Sequence, residues 1–252
     1  MSKILSPIHC GESIYRPIKM TKIRTDMTDV QAGVKTSRSR INLDIMKAMR
    51  GKFITAPVTA KDIIKKPLTD NERDHLVKAY EHLDVMLQKP ELDPEDILDL
   101  NDICLFGMSV GSMPKTMEVN TFIENHGMLQ QFQKYQKSFY SHIRPTWQWL
   151  SKQSQKDDLS AYTLAAGLYT RIVNDSELFT DGHQRTGSLM MAYIMAKAGI
   201  APFHLNEIIA PEFFIISNKI KNCGIFKLNS SRNELSSFLS KYFHASYNRH
   251  LF

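Results

Sequence analysis

Eight consecutive residues, Leu189-Met190-Met191-Ala192-Tyr193-Ile194-Met195-Ala196, constrain this chain more than any other feature. Wound into a helix, they leave no polar face, and only a helix enclosed on all sides tolerates that. Lipid does not supply the enclosure. A membrane span needs ~18 apolar residues, and the stretch over 189–200 is shorter and carries Lys197. The run is therefore expected to be the central helix of a folded domain. Gly199 stands where a helix C-terminus favours glycine, and Pro202 follows it.

The surrounding sequence supplies helices to pack on it. Thr69 or Asp70 can cap a helix carrying His75, Val77, Tyr80, Leu83 and Met86 and ending before Pro90. Asp93-Pro94-Glu95 opens another, with proline at the first helical position and Ile97, Leu98, Leu100, Ile103 and Leu105 as its apolar set. The segment 106–114, rich in glycine and serine, reads as a connection or flap. A long helical stretch over 115–152 is expected to break near Gly127 and Pro145. Asp157 or Asp158 starts a helix in which Leu164, Ala165, Leu168, Ile172 and Val173 recur at helical spacing. Two more helices are expected over 210–221 and 231–242. No alternating pattern is long enough to suggest a sheet, so the fold class is all-α. The first 60 residues hold Pro7, Pro17 and Pro57 without clean periodicity, and read as an irregular N-terminal arm with a short helix over 41–49. Residues 61–252 form the helical domain.

Several function classes are excluded. There is no G-x-x-x-x-G-K-[ST] phosphate loop, no G-x-S-x-G nucleophile elbow, and no His/Cys spacing suited to a protein metal cage. His126 and His142 read as ordinary histidines. The three cysteines, Cys10, Cys104 and Cys223, are distant and odd in number, which fits a reducing, cytoplasmic compartment. The N-terminus has no apolar stretch typical of a signal peptide. Net charge is +6, dispersed apart from one cluster over 35–41. A solvated basic surface is expected rather than a nucleic-acid face.

Chemistry concentrates in Phe179-Thr180-Asp181-Gly182-His183-Gln184-Arg185-Thr186-Gly187, which leads into the apolar helix. A helix N-terminus presents N–H groups without carbonyl partners and a partial positive charge. Gly182 permits a tight turn, Arg185 offers a guanidinium fork, and Asp181 is a hard-oxygen donor for Mg²⁺. These parts suit a phosphate. A purely structural alternative is that Asp181 caps the helix and Gln184, three residues on, completes a capping box.

This segment resembles the Fic/Doc family motif, H-x-F-x-[D/E]-G-N-x-R, followed by a hydrophobic helix. Phe179, Asp181, Gly182 and Arg185 match, and the core of the likeness spans 158–204. The resemblance implies a Fic-like helical domain. It makes Phe179 the loop anchor and Asp181 the metal ligand, with Gly182, His183, Gln184 and Arg185 around the phosphate. The implied function is a protein-modifying transferase that moves a nucleotide-monophosphate or related group from ATP or another nucleotide donor, with Mg²⁺, to a protein hydroxyl. Family members include toxins and injected effectors, so the cytoplasm acted upon can be that of another cell.

The motif departs at its base. Glu177 occupies the histidine position, Leu178 the proline, His183 the asparagine and Ser188 the second arginine. The stretch before Phe179 is one residue longer than in many relatives, which brings Ser176 into consideration. Glu177 is a weak base unless burial raises its pKa, and His183 is the other titratable candidate. The family's inhibitory pattern, [S/T]-x-x-x-E-[G/N], is half matched by Ser230 to Glu234 and by Asn120 to Glu124-Asn125. A second reading is therefore a catalytically inactive Fic-like protein that binds a protein partner or nucleotide. A basic nucleic-acid-binding helical protein is a distant third.

Overall fold

The structure is a computed structural model describing residues 17–19, 70–107, 129–156, 160–179, 181–198, 200, 205, 209–224 and 227–243. Side chains are described from 139 onward in the helix that begins at 129. Most of the N-terminal arm, the helix expected over 41–49, the connection beyond Gly107, His126 and the 120–125 pattern lie outside these residues.

The described elements run β1 (Ile18–Lys19), α1 (Asp70–Gln88), β2 (Glu91–Leu92), α2 (Pro94–Phe106), α3 (Leu129–Ser154), α4 (Ala161–Asn174), α5 (His183–Lys197), α6 (Ala210–Asn222) and α7 (Leu228–Tyr242). The fold is all-α. The two strands, of two residues each, form one antiparallel ladder pairing Ile18 with Leu92, too short to leave a periodic signature. Ile18 is 3% exposed, so this piece of the arm is seated on the helical body.

α5 lies at the centre, against α1, α2 and α4. Every residue from Leu189 to Met195 is buried, and Thr186 and Gly187 with them. α4 packs on α5, α6 and α7, and is itself buried over most of its length. Gly187 makes the α4–α5 contact close, since a Cβ there would sit 2.9 Å from the Tyr169 ring. α2 starts as its sequence dictates. Asp93 is the N-cap, Pro94 follows, and Asp96 completes a capping box. The Asp96 carboxylate also takes the Lys89 ammonium. α4 is preceded by Ser160 as its N-cap.

The break expected at Pro145 does not occur, and α3 is continuous through it. Pro145 is exposed, whereas Phe139, Ile143, Trp147 and Leu150 form a buried stripe at helical spacing. Burying that stripe offsets the roughly 3 kcal/mol cost of an internal proline. Among the described residues no helix is long and apolar enough to cross a membrane.

Candidate functional site

The loop between α4 and α5 is built around Gly182 and His183. Gly182 precedes α5 at φ 81°, in the left-handed region. A Cβ on it would lie 2.8 Å from Asn101 Nδ2, so glycine is required twice over. That amide, fully buried on α2, donates to the Asp181 carbonyl and to Thr186 Oγ1, both at 2.9 Å. It ties the loop to the first turn of the central helix.

His183 holds the other side of the loop. Its Nε2 accepts the Phe179 N–H at 3.3 Å, and the ring also bonds the Asp175 backbone. With Nε2 accepting, the neutral ring carries its proton on Nδ1. Burial pushes the His183 pKa below its ordinary value, outweighing the opposing pull of Asp181. Phe179 is buried, stacks on Phe139 at 6.0 Å and meets the His183 ring edge-on at 5.4 Å. Asp175 Oδ1 accepts the Glu177 N–H at 3.1 Å and lies 3.6 Å from His142 Nδ1.

The first turn of α5 spreads its side chains in three directions. His183 faces the loop. Gln184 donates to Ser217 Oγ on α6 at 2.8 Å, and that oxygen is shared with the Tyr169 hydroxyl. Arg185, about 200° round the helix from His183, extends to α1, where its Nη1 is 3.8 Å from Glu72 Oε1. Burial pushes the nearby Cys104 thiol up to about 12, against the pull of Arg185.

The capping box imagined for Asp181 and Gln184 is absent. Gly182 is the N-cap, no side chain caps α5, and Gln184 is taken by Ser217. The exposed Asp181 carboxylate instead accepts the Gly182 N–H at 2.6 Å. Thr186 is the first residue of α5 whose N–H reaches a carbonyl in the turn before it, that of Gly182, at 2.8 Å. The N–H groups of His183, Gln184 and Arg185 are those an α-helix leaves without an internal carbonyl.

Among the described residues the remaining candidates form no ion pair with Arg185. Ser176 and Glu177 are exposed in the turn following α4, and the ion pair of Arg185 is with Glu72. Glu234 is exposed on α7 and pairs with Lys219 of α6 at 2.6 Å. Sequence reasoning missed Asn101, Glu72 and Asp175. Asn101 had a readable signal, an amide four residues after Ile97 within an apolar stripe. Glu72 had none, because a carboxylate on a helix surface is unremarkable.

No family model matches this chain, and no curated protein matches it.

Proposed function

We propose that this chain is a Fic-like protein that binds a phosphate-bearing, nucleotide-type ligand at the start of α5. The observation that carries this reading is the left-handed Gly182 leading into a buried helix, with Arg185 in its first turn. Three N–H groups and a guanidinium are thereby held on a rigid support, which suits phosphate oxygens. The Arg185–Glu72 contact is long and part exposed, so an incoming phosphate can compete for the guanidinium. Asp181 offers one exposed carboxylate, and among the described residues no three metal-ligating side chains converge. That donor set fits a Mg²⁺ that arrives with phosphate and keeps water ligands, rather than one caged by protein. Bound there, the ion would neutralise phosphate charge.

Binding without transfer is favoured by His183, whose Nε2 is taken up by the Phe179 N–H inside the loop and whose pKa burial lowers. The transferase reading, with a protein hydroxyl as acceptor, is favoured by Glu177. Its exposed carboxylate stands two residues before Phe179, at the position where the motif has its proton acceptor.

Calorimetry with Mg-ADP, Mg-ATP and pyrophosphate tests the site. Saturable binding is expected, weakened by about 1.5–3 kcal/mol in Arg185→Ala, the range for a charged hydrogen bond. A folded wild-type protein that binds none of them removes the proposal. Incubation in lysate with labelled ATP, CTP, GTP, UTP and CDP-choline then separates the two readings. Label on a protein that is lost in Glu177→Ala supports transfer. Label that appears only in Glu177→His supports a phosphate site without its base.

A further inference from the structure

A second cationic cluster lies on the face of α4 turned toward α3 and α7. α4 and α7 run antiparallel. The Tyr162 hydroxyl donates to the Phe243 carbonyl at 3.0 Å, and the Thr163 and Ser236 hydroxyls are 3.2 Å apart. One turn on from Thr163 is Gly167, and one turn back from Ser236 is Arg232. This register brings Arg232 beside Gly167, with Arg171 on the next turn of the same α4 face. Gly167 has no side chain because Trp149 of α3 fills the space, and a Cβ there would lie 2.4 Å from the indole Cη2. The Arg171 guanidinium lies over that same ring, 4.9 Å from its centroid.

Among the described residues neither arginine is neutralised, and no carboxylate forms an ion pair with Arg171 or Arg232. Arg232 Nε is buried without a hydrogen-bond partner, and its Nη2 has only the Asn233 side-chain oxygen, at 3.3 Å. Arg171 is held below the usual arginine range, by burial first and by the charge of Arg232 second. Two half-buried guanidinium groups thus stand on adjoining turns of α4 and α7 with donors to spare. Unmade hydrogen bonds of charged donors are costly, and an oxyanion between two forks satisfies both. A phosphate monoester, with charge of about −1.5 to −2 at neutral pH, matches the pair better than a single carboxylate does.

We propose that Arg171 and Arg232, framed by Trp149, form an oxyanion site for a phosphate monoester group, separate from the α5 loop. Arg185 reaches toward α1, whereas this cluster is made by α3, α4 and α7, so the two sites do not share a side chain.

Trp149 is a built-in reporter. Fluorescence of the full chain is titrated with inorganic phosphate and with AMP at constant ionic strength, in wild type, Arg171→Gln, Arg232→Gln and Arg185→Ala. A saturable change is expected in wild type and in Arg185→Ala, weakened at least about tenfold in each glutamine variant. Tighter response to AMP assigns the site to a phosphate carried on a nucleotide, and response to phosphate alone assigns it to the free ion. No saturable change in wild type, a response in both glutamine variants as strong as that of wild type, or loss in Arg185→Ala alone overturns the proposal. Should the glutamine variants fail to fold, Arg232→Lys keeps the charge and loses the fork. Phosphate must then raise its melting temperature less than that of wild type, and an equal rise overturns the site.

Discussion

Gly182 joins two requirements that can be separated by experiment. Its φ of 81° is strained for any residue with a side chain, and its Cα faces Asn101 Nδ2. Gly182→Ala is expected to cost about 1–3 kcal/mol of stability, read by urea unfolding. In an Asn101→Ala background the steric part vanishes and the same substitution should cost less. An equal cost in both backgrounds would mean that Asn101 does not limit the approach. Glu72 offers a second test at this scale. Glu72→Gln removes the carboxylate facing Arg185 and should strengthen pyrophosphate binding, by less than ~1 kcal/mol because the pair is part exposed. Weaker binding in Glu72→Gln would show that Glu72 orients Arg185 rather than competing for it.

At the scale of single elements, α3 and α5 respond to substitution in opposite ways. Met191 and Ile194 are fully buried in α5, within the stretch Leu189 to Met195 in which every residue is buried. Met191→Asp places an unpaired charge there and should destabilise the protein by on the order of 4 kcal/mol or more. A soluble variant with an unchanged melting temperature would show α5 to be peripheral. In α3, Pro145 is exposed and interrupts one backbone hydrogen bond within a continuous helix. Pro145→Ala should therefore stabilise, by about 1–3 kcal/mol, seen as a higher urea midpoint. No gain would mean that the Pro145 ring adds to folding stability, through the unfolded chain or its own packing, as much as its missing N–H removes.

Across the whole molecule, three histidines act together on the pH dependence of stability. Burial holds His75, His82 and His183 below the ordinary value of 6.5. The unfolded chain therefore takes up protons before the folded one does. Stability from these groups is present in full above about pH 6.5 and is lost as pH falls from there through their folded values. The urea midpoint should fall between pH 7.5 and 5.5, and His82→Gln should flatten the decline. A midpoint that rises on acidification over that window would contradict the burial of these rings. His82 and His75 both stand on α1, so α1 and the contacts it makes with α2 and α5 should loosen first, detectable as faster amide exchange there.

What the sequence determined by itself was local. A run with no polar face has to be enclosed, so α5 as the centre was legible from Leu189 to Ala196. Asp93-Pro94 and Gly182 were legible too, because a cap, a proline ring and a missing Cβ act on their own backbone. The tertiary structure decided everything that depends on which surfaces meet. Pro145 reads as a helix break until the burial of Ile143, Trp147 and Leu150 is known. His183 reads as a free base until Phe179 and Asp175 close on it. Asn101 is 80 positions from the carbonyl it holds, and Arg185 finds its carboxylate on α1 rather than in its own loop. Periodicity and capping are written along the chain. The partner of a buried amide or guanidinium depends on a packing that residues distant in sequence create only when the helices assemble.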